Sequence, residues 1–242
     1  MTERQQIPWK RLTVEAVAIV GSILLAFAID AWWADRLERK METDTLERLH
    51  AEFSSNHQRL VAREEQCLGP CLAASSSDRI YELIDHALSE GATVIQIPDR
   101  LLLGLIGTPT FEPELPVLDS LRGSGGLAAI EAPQVLAAIA GWDRHIANGT
   151  DQEIGTRQFV GTTLIPALQV RGNIGHLFRE FGREIAGQNA QLDGSIDITI
   201  DNELKTVVAQ RYSDSTRTNR SMKAARDSAA QVLAEIEKTH EE

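Results

Sequence analysis

An all-α fold is predicted for this chain of 242 residues, with an N-terminal transmembrane helix that continues into a helical bundle. A long apolar stretch near the N-terminus supports the first part of that prediction. Most of the remaining chain repeats apolar residues at intervals of three and four, which is the period of an amphipathic helix. Glycine and proline clusters separate these segments and mark the turns between them.

Residues 12–33, LTVEAVAIVGSILLAFAIDAWW, are predicted to form the membrane-spanning helix. A helix rises about 1.5 Å per residue, so roughly 20 mainly apolar residues cross a hydrocarbon core about 30 Å thick. Trp9 precedes this stretch, and Trp32 and Trp33 end it. Tryptophan rings prefer the headgroup region, because the ring is apolar while its N–H needs a partner. These three residues are therefore predicted to be interface anchors, and the lipid bilayer is the first predicted partner.

The carboxylates of Glu15 and Asp30 lie within this stretch and leave two interpretations open. In the first, both lie near the hydrocarbon edge, where they reach the headgroups or take up a proton at modest cost. In the second, they belong to one helix face, which consists of Glu15, Ala18, Ser22, Ala26 and Asp30. Small residues four apart let two helices approach closely in lipid. This face is a candidate contact with a second copy or with a partner membrane protein.

A cleaved signal peptide is the alternative to an anchor. Lys10 and Arg11 would form its basic region, and residues 26–28 resemble a small-x-small cleavage site. No glycine or proline interrupts the helical pattern just before that site, so we expect the stretch to be retained. A short N-terminal tail usually stays in the cytoplasm, so we expect the C-terminal domain to be extracytoplasmic.

Four segments are expected along the chain: a short polar tail (1–11), the transmembrane helix (12–34), a stalk helix continuous with it (35–66) and an α-helical extramembrane domain (67–242). The stalk carries a seam suited to packing against another helix, formed by Leu46, Leu49, Phe53, Asn56 and Leu60. The last helix has an apolar side formed by Ala225, Ala229, Val232, Leu233 and Ile236. We expect this side to pack antiparallel on the stalk.

Cap, turn and breaker residues place the other elements. Before residue 130 they predict a helix capped within 75–78 and stopped at Gly91, a short strand at 93–97 without an evident partner, a short helix after Pro98 and an irregular segment at 107–116. After residue 130, a helix is predicted from Pro133 to Asn148 and Gly149, and another from Asp151 with a kink near Pro166. A helix over GHLFREFGREIA follows, and then an extended piece within 188–200. The chain ends in a long helix with a candidate break at 213–215.

The two cysteines, Cys67 and Cys71, flank a Leu-Gly-Pro turn. In an extracytoplasmic domain, a disulfide across this turn is plausible, and it would stiffen a corner rather than hold the fold. The spacing differs from the C-x-x-C of thioredoxin-like proteins. A metal site with His57 or His86 has no supporting ligand spacing.

Residues 15–32 and residues 49–56, LHAEFSSN, together resemble an uncharacterised family of bacterial single-pass membrane proteins. The N-terminus of that family reads roughly E-x-x-x-I-x-x-G-I-L-x-A-x-x-I-x-x-W, followed by a charged helix and an L-x-x-E-x-x-x-N segment. Residues 118–130, LDSLRGSGGLAAI, are similar to its later helix, Gly turn and helix start. The resemblance implies a single pass through the bacterial inner membrane, an α-helical soluble part and no assigned activity. It transfers no functional residues.

Composition and motifs bound the function. A net charge of −11 argues against a nucleic-acid partner, which requires a basic face. The segment Gly123-x-Gly125-x-x-Ala128 matches a dinucleotide fingerprint only formally, since no strand is predicted before it. Asp143 and His145 lie two positions apart on a predicted helix and therefore point to different sides. We expect no cofactor, no metal and no catalytic site.

The leading hypothesis is a structural or protein-interaction role for the helical domain of a membrane-anchored protein. It depends on the anchor, the continuous stalk, the small-residue face and the missing catalytic motifs. The alternative is a small-ligand-binding or sensory module that acts through a membrane partner, because helical bundles can hold small molecules between their helices.

Overall fold

The computed structural model describes residues 9–67, 69–108 and 110–241, with the side chains of residues 20–67, 69–108 and 110–239. It is 79% helix and 5% strand, so the predicted all-α class is confirmed. The elements in order are α1 (Trp9–Glu65), α2 (Pro70–Ser89), β1 (Val94–Pro98), α3 (Asp99–Ile106), α4 (Pro116–Ser124), a 3₁₀ turn (Gly126–Ala129), α5 (Pro133–Phe159), a π turn (Val160–Leu164), α6 (Ile165–Gln169), α7 (Gly175–Ile185), β2 (Ser195–Thr199) and α8 (Asn202–Glu241).

Helix α1 is one continuous helix that leaves the apolar stretch and enters the body of the protein. All five predicted seam residues are buried, from Leu46 at 2% exposure to Leu60 at 3%. Helix α8 runs antiparallel to α1, because His50 pairs with Glu237 while Glu64, a few turns further along α1, pairs with Lys223. The predicted packing of the last helix on the stalk is therefore confirmed.

The hydrophobic core has two main parts joined by α8. The first lies between α1, α4, α5 and the C-terminal half of α8, and its largest buried side chain is Trp142. The second surrounds α2, α3, the sheet, α6 and α7, and includes the N-terminal part of α8. A long helix that contributes to both parts fixes their relative position, because protein interiors are close-packed.

Strands β1 and β2 form a two-stranded antiparallel sheet, with Ile97 opposite Ile196 and Ile95 opposite Ile198. The sequence predicted a strand at β1 without an evident partner. Its partner is β2, which lies within the segment 188–200 where an extended piece was predicted. Alternation along β2 turns Ile196 and Ile198 into the core, where both are buried. The sheet therefore closes the second core against α2 and α3.

Three expected helix boundaries are wrong, and each has a local reason. Helix α5 continues through Gly149, which is buried beside the side chain of Met222 and so serves close packing on α8. Helix α2 begins at Pro70, so Ser77 lies inside it and donates its hydroxyl proton to the Ala73 carbonyl at 2.6 Å. Helix α8 also passes its candidate break, because the buried Ser215 donates likewise to Arg211. The irregularity expected near Pro166 is present as the π turn.

The close approach of α2 and α3 gives a testable consequence. A Cβ added at Gly104 of α3 would lie 2.9 Å from the Cβ of Ser76, well inside ordinary contact distance. We expect Gly104→Ala to lower the free energy of unfolding by about 1–3 kcal/mol, the usual cost of overpacking.

Gly155→Ala is the matched control for that substitution, because Gly155 is also helical and no described atom lies within 4 Å of the position that its Cβ would take. It should raise the free energy of unfolding by about 0.5–1 kcal/mol through helix propensity. Urea titration of both variants measures the two changes. Equal stabilisation by both would contradict the α2–α3 contact.

Candidate functional site

The N-terminal part of α1 stands apart from the rest of the protein. Every described residue from 20 to 41 is exposed, including the predicted contact residues Ser22, Ala26 and Asp30. Among the predicted interface anchors, Trp32 and Trp33 are 54% and 63% exposed. The side chains of Trp9, Glu15 and Ala18 lie outside the described residues. Across the described part of the chain, no helix combines the length and the apolar composition that a membrane crossing requires.

From residue 20 to Ile29, the exposed stretch of α1 is apolar on all its faces except at Ser22, and charged residues follow from Asp30 to Lys40. Its exposed large apolar residues are Val20, Ile23, Leu24, Leu25, Phe27, Ile29, Trp32, Trp33, Leu37 and Met41. A surface helix of a globular domain has one apolar stripe against the core and a polar opposite face. This segment has neither a core contact nor a polar face before Asp30, so its apolar surface requires a different partner.

Cys67 and Cys71 form a disulfide at the corner between α1 and α2, with their Cα atoms 5.0 Å apart. Cys67 has a positive φ of 46° and Gly69 one of 63°, so the chain reverses within a few residues. The bond joins the end of α1 to the first turn of α2. It therefore ties the stalk to the domain where the two meet.

Two polar residues in the α1 seam hold the start of α4. The carboxylate of Glu52 accepts the Val117 and Leu118 N–H groups at 2.6 and 3.1 Å. One turn later, Asn56 accepts the N–H of Glu114 and donates to its carbonyl, at 2.9 and 2.7 Å. The first N–H groups of a helix have no partner within it, and their positive end favours a carboxylate. Glu52 thus caps α4 from a different helix.

These contacts also bring together the later segments on which the family resemblance depends. Leu49, Glu52 and Asn56 are the fixed positions of the L-x-x-E-x-x-x-N segment, and α4 leads into the Gly turn. Helix α4 ends at Gly125, which adopts a left-handed conformation with φ of 75°. The turn is therefore a helix end without a preceding strand, as the sequence predicted, and it has no dinucleotide geometry.

A concave groove of about 910 Å³ lies among the described residues. We call it the α3–α7 groove. Its lining comes from the end of α1 and the start of α2, from α3, from the loop after α3 and from α7; the side chains used below are Arg59, Arg63, Leu72, Arg100, Phe111, Phe178, Phe181 and Glu184. Cavities of about 300–1,000 Å³ with an apolar lining and a few polar groups are typical of small-ligand sites.

A buried ion pair lies beneath the groove, at the end that is lined by α1. The Arg63 guanidinium is 3.7 Å from the carboxylate of Glu153. Both oxygens of this carboxylate accept the Phe111 N–H, each at 3.2 Å from the nitrogen. Burial raises the pKa of Glu153, although the Phe111 N–H and the Arg63 charge oppose the rise. Burial also lowers the pKa of Arg63. The pair fixes the loop after α3 against α1 and α5.

Arg211 of α8 supports the same loop from the inside. Its guanidinium donates to the Leu105 and Gly107 carbonyls at 2.8 and 2.6 Å, so it caps the C-terminal end of α3. Burial lowers the pKa of Arg211 to about 10, and the side chain remains a cation at neutral pH. A cation is favourable at the negative end of a helix. The floor of the groove therefore has a fixed geometry.

Burial of Glu153 predicts a dependence of stability on pH. An exposed glutamate has a pKa of 4.5, and that of Glu153 is higher in the folded protein. As pH rises above 4.5, the unfolded chain loses this proton before the folded chain does. The contribution of Glu153 to the free energy of unfolding therefore falls with rising pH until its raised pKa is passed.

Glu153→Gln should remove that dependence, because glutamine keeps an acceptor for the Phe111 N–H and does not titrate. Urea titrations of both proteins between pH 4 and 7 measure the difference in their free energies of unfolding. Glu65→Gln, at an exposed position on α1, is the matched control and should follow the unsubstituted protein. Parallel curves for the protein and Glu153→Gln would refute the buried position of this carboxyl.

The other residues singled out from the sequence do not converge. Asp143 pairs with Arg122 rather than with His145. Within the described residues, no group of three or more His, Cys, Asp or Glu side chains is arranged to hold a metal ion.

Sequence reasoning missed the α3–α7 groove and the Glu153 ion pair. The groove is lined by segments that are more than one hundred residues apart, such as α1 and α7. The only local signal was in GHLFREFGREI, where Phe178, Phe181 and Ile185 recur at helical spacing on a face different from that of the buried Leu177. A second apolar face on a short helix indicates a second contact surface.

A scan against protein-family models and searches of curated proteins and of solved structures found no match to this chain.

Proposed function

We propose that this chain is a single-pass membrane protein that acts by binding a partner through its helical extracytoplasmic domain. The observation that carries the proposal is the contrast along α1, which is exposed and almost wholly apolar from residue 20 to Ile29 and packs its seam into the core from Leu46 onwards. Contiguous apolar surface of this extent is not left in water by soluble monomers. Lipid around residues 12–34 would cover it, and the helix would then carry the domain rigidly.

The extracytoplasmic side is supported by the disulfide between Cys67 and Cys71, because such bonds persist in oxidising compartments. The bacterial inner membrane follows from the family resemblance and remains part of the proposal. Mass spectrometry of the intact chain from membranes, with and without reductant, tests the extracytoplasmic location of the domain. A reduced pair in freshly isolated protein would count against it.

In the leading form of the proposal, the partner is a second copy of this chain or another membrane protein. Gentle detergent extraction followed by sizing should then give a defined oligomer or complex, and a clean monomer would contradict this form. Within the bilayer, Ser22→Leu combined with Ala26→Leu should abolish crosslinking between copies if the small-residue face is the contact. Val20→Leu with Leu24→Ile, on the opposite face, is the control.

Ligand binding is the second candidate function, and the α3–α7 groove specifically favours it. The groove is concave and largely apolar, and its floor is held by the Glu153 and Arg211 contacts. A site with a fixed floor is typical of small-molecule recognition. The membrane anchor would then keep the ligand site at a set distance from the bilayer.

A further inference from the structure

Three large apolar side chains are nearly half exposed inside the α3–α7 groove. Leu72 is 45% exposed, and Phe178 and Phe181 are 43% exposed each. This surface suits a flexible apolar chain, which gains free energy roughly in proportion to the area it covers.

Three arginines, Arg59, Arg63 and Arg100, line the groove. Each of these arginines is paired with a carboxylate: Arg59 with Glu114, Arg63 with Glu153 and Arg100 with Glu184. Arg100 is the most accessible of the three arginines, with its side chain 57% exposed.

Arg100 can accept an additional anion. Its Nη1 donates to Glu184 at 2.6 Å, and an exposed ion pair of this kind is weak. A guanidinium has five N–H donors in a planar fork that matches carboxylate or phosphate oxygens. An anionic head group can therefore bind beside Glu184 without displacing buried groups.

We infer that the α3–α7 groove binds a single-chain anionic amphiphile, with its acyl chain on Leu72, Phe178 and Phe181 and its head group on Arg100. The inference rests on the proposed binding function and names its ligand class. About 40 Å of helix separates Trp33 from Arg59, so a lipid that stays in the bilayer does not reach the groove. The ligand is therefore a free monoacyl anion rather than a membrane phospholipid.

Photocrosslinking of the full chain in nanodiscs of zwitterionic phospholipid tests this inference. The probe is palmitate that carries a diazirine near the end of its acyl chain. We expect labelled peptides from α3 and α7, with palmitate competing about tenfold better than hexadecanol, which lacks the charge. Labelling confined to residues 12–34, or equal competition by hexadecanol, would overturn the inference. So would labelling of the groove by a diacyl photolipid in place of palmitate.

Two pairs of variants assign the roles within the groove. Arg100→Gln should reduce labelling by palmitate about tenfold, whereas Arg79→Gln, which breaks an exposed ion pair on α2, should not change it. Phe181→Ala should also reduce labelling, and Tyr212→Ala, at 41% exposure outside the groove, should not. Equal labelling of all four variants would contradict the assignment.

Failure of the ligand inference is distinct from failure of the membrane proposal. A chain that does not enter nanodiscs contradicts the anchor, and the same labelling in buffer still tests the groove. A chain that enters nanodiscs but is not labelled in α3 or α7 contradicts only the ligand.

Discussion

Replacing Trp142 with alanine should lower the free energy of unfolding by about 3–5 kcal/mol, the range for deleting a large buried aromatic side chain. Trp142 is fully buried in α5, and its ring meets that of Phe53 edge to face at a centroid distance of 5.0 Å. Edge-to-face pairs add to the free energy of burial. The contact joins α5 to the stalk part of α1, so its loss weakens the connection between stalk and domain.

Trp142→Phe separates the contribution of the aromatic ring to stability from that of the indole N–H. Within the described residues, the buried Nε1 of Trp142 has no hydrogen-bond partner, so phenylalanine removes little besides ring area. We expect a loss of about 1.5 kcal/mol or less. Trp33→Ala, at an exposed position of the same residue type, is the control and should leave the urea midpoint unchanged. Equal losses for Trp142→Ala and Trp33→Ala would contradict the core described here.

Replacing Glu52 with alanine should lower the free energy of unfolding by about 2–4 kcal/mol, because two N–H groups at the start of α4 lose their acceptor. The effect should be local as well as global. Amide exchange of Val117 and Leu118 should accelerate more than that of residues in the centre of α8, because α4 loses its cap from α1.

Glu52→Gln should retain part of this stability, because the amide oxygen still accepts one of the two N–H groups. Glu47→Ala, at an exposed position on the same helix, removes the same side chain without an α4 contact and is the matched control. Urea titration with hydrogen exchange measures both quantities. If Glu47→Ala and Glu52→Ala destabilise the protein equally, the cap contributes nothing specific.

Local patterns predicted the long helices and their packing well. The seam from Leu46 to Leu60 and the apolar side of α8 each lie on a single helix, so helical periodicity is sufficient to identify them. Each apolar face needs a partner of similar length, and the ion pairs His50–Glu237 and Glu64–Lys223 show that the two helices run antiparallel. The cysteine corner was also visible, since both residues lie within one turn of chain.

Non-local contacts were not predictable in the same way. Strand β1 pairs with β2, which begins about one hundred residues later, and neither strand indicates the other. Gly149 was interpreted as a helix end because glycine usually marks one, but here tertiary packing against Met222 overrides that preference.

The contacts of the candidate site were also not predictable from local sequence patterns. Asn56 was a polar position in an apolar seam, and Glu52 was only a position of the family resemblance, until α4 was placed against them. The α3–α7 groove exists only after α1, α3 and α7 have packed together. Residues that act across elements carry no spacing signal in the sequence.

Alkaline carbonate extraction of membranes from cells that express the full chain tests the central claim most directly. If residues 12–34 are the proposed membrane anchor, the intact chain remains in the membrane pellet and keeps its N-terminal segment. Recovery of the intact chain in the soluble fraction, or of a mature protein that begins at Ile29, would contradict the account.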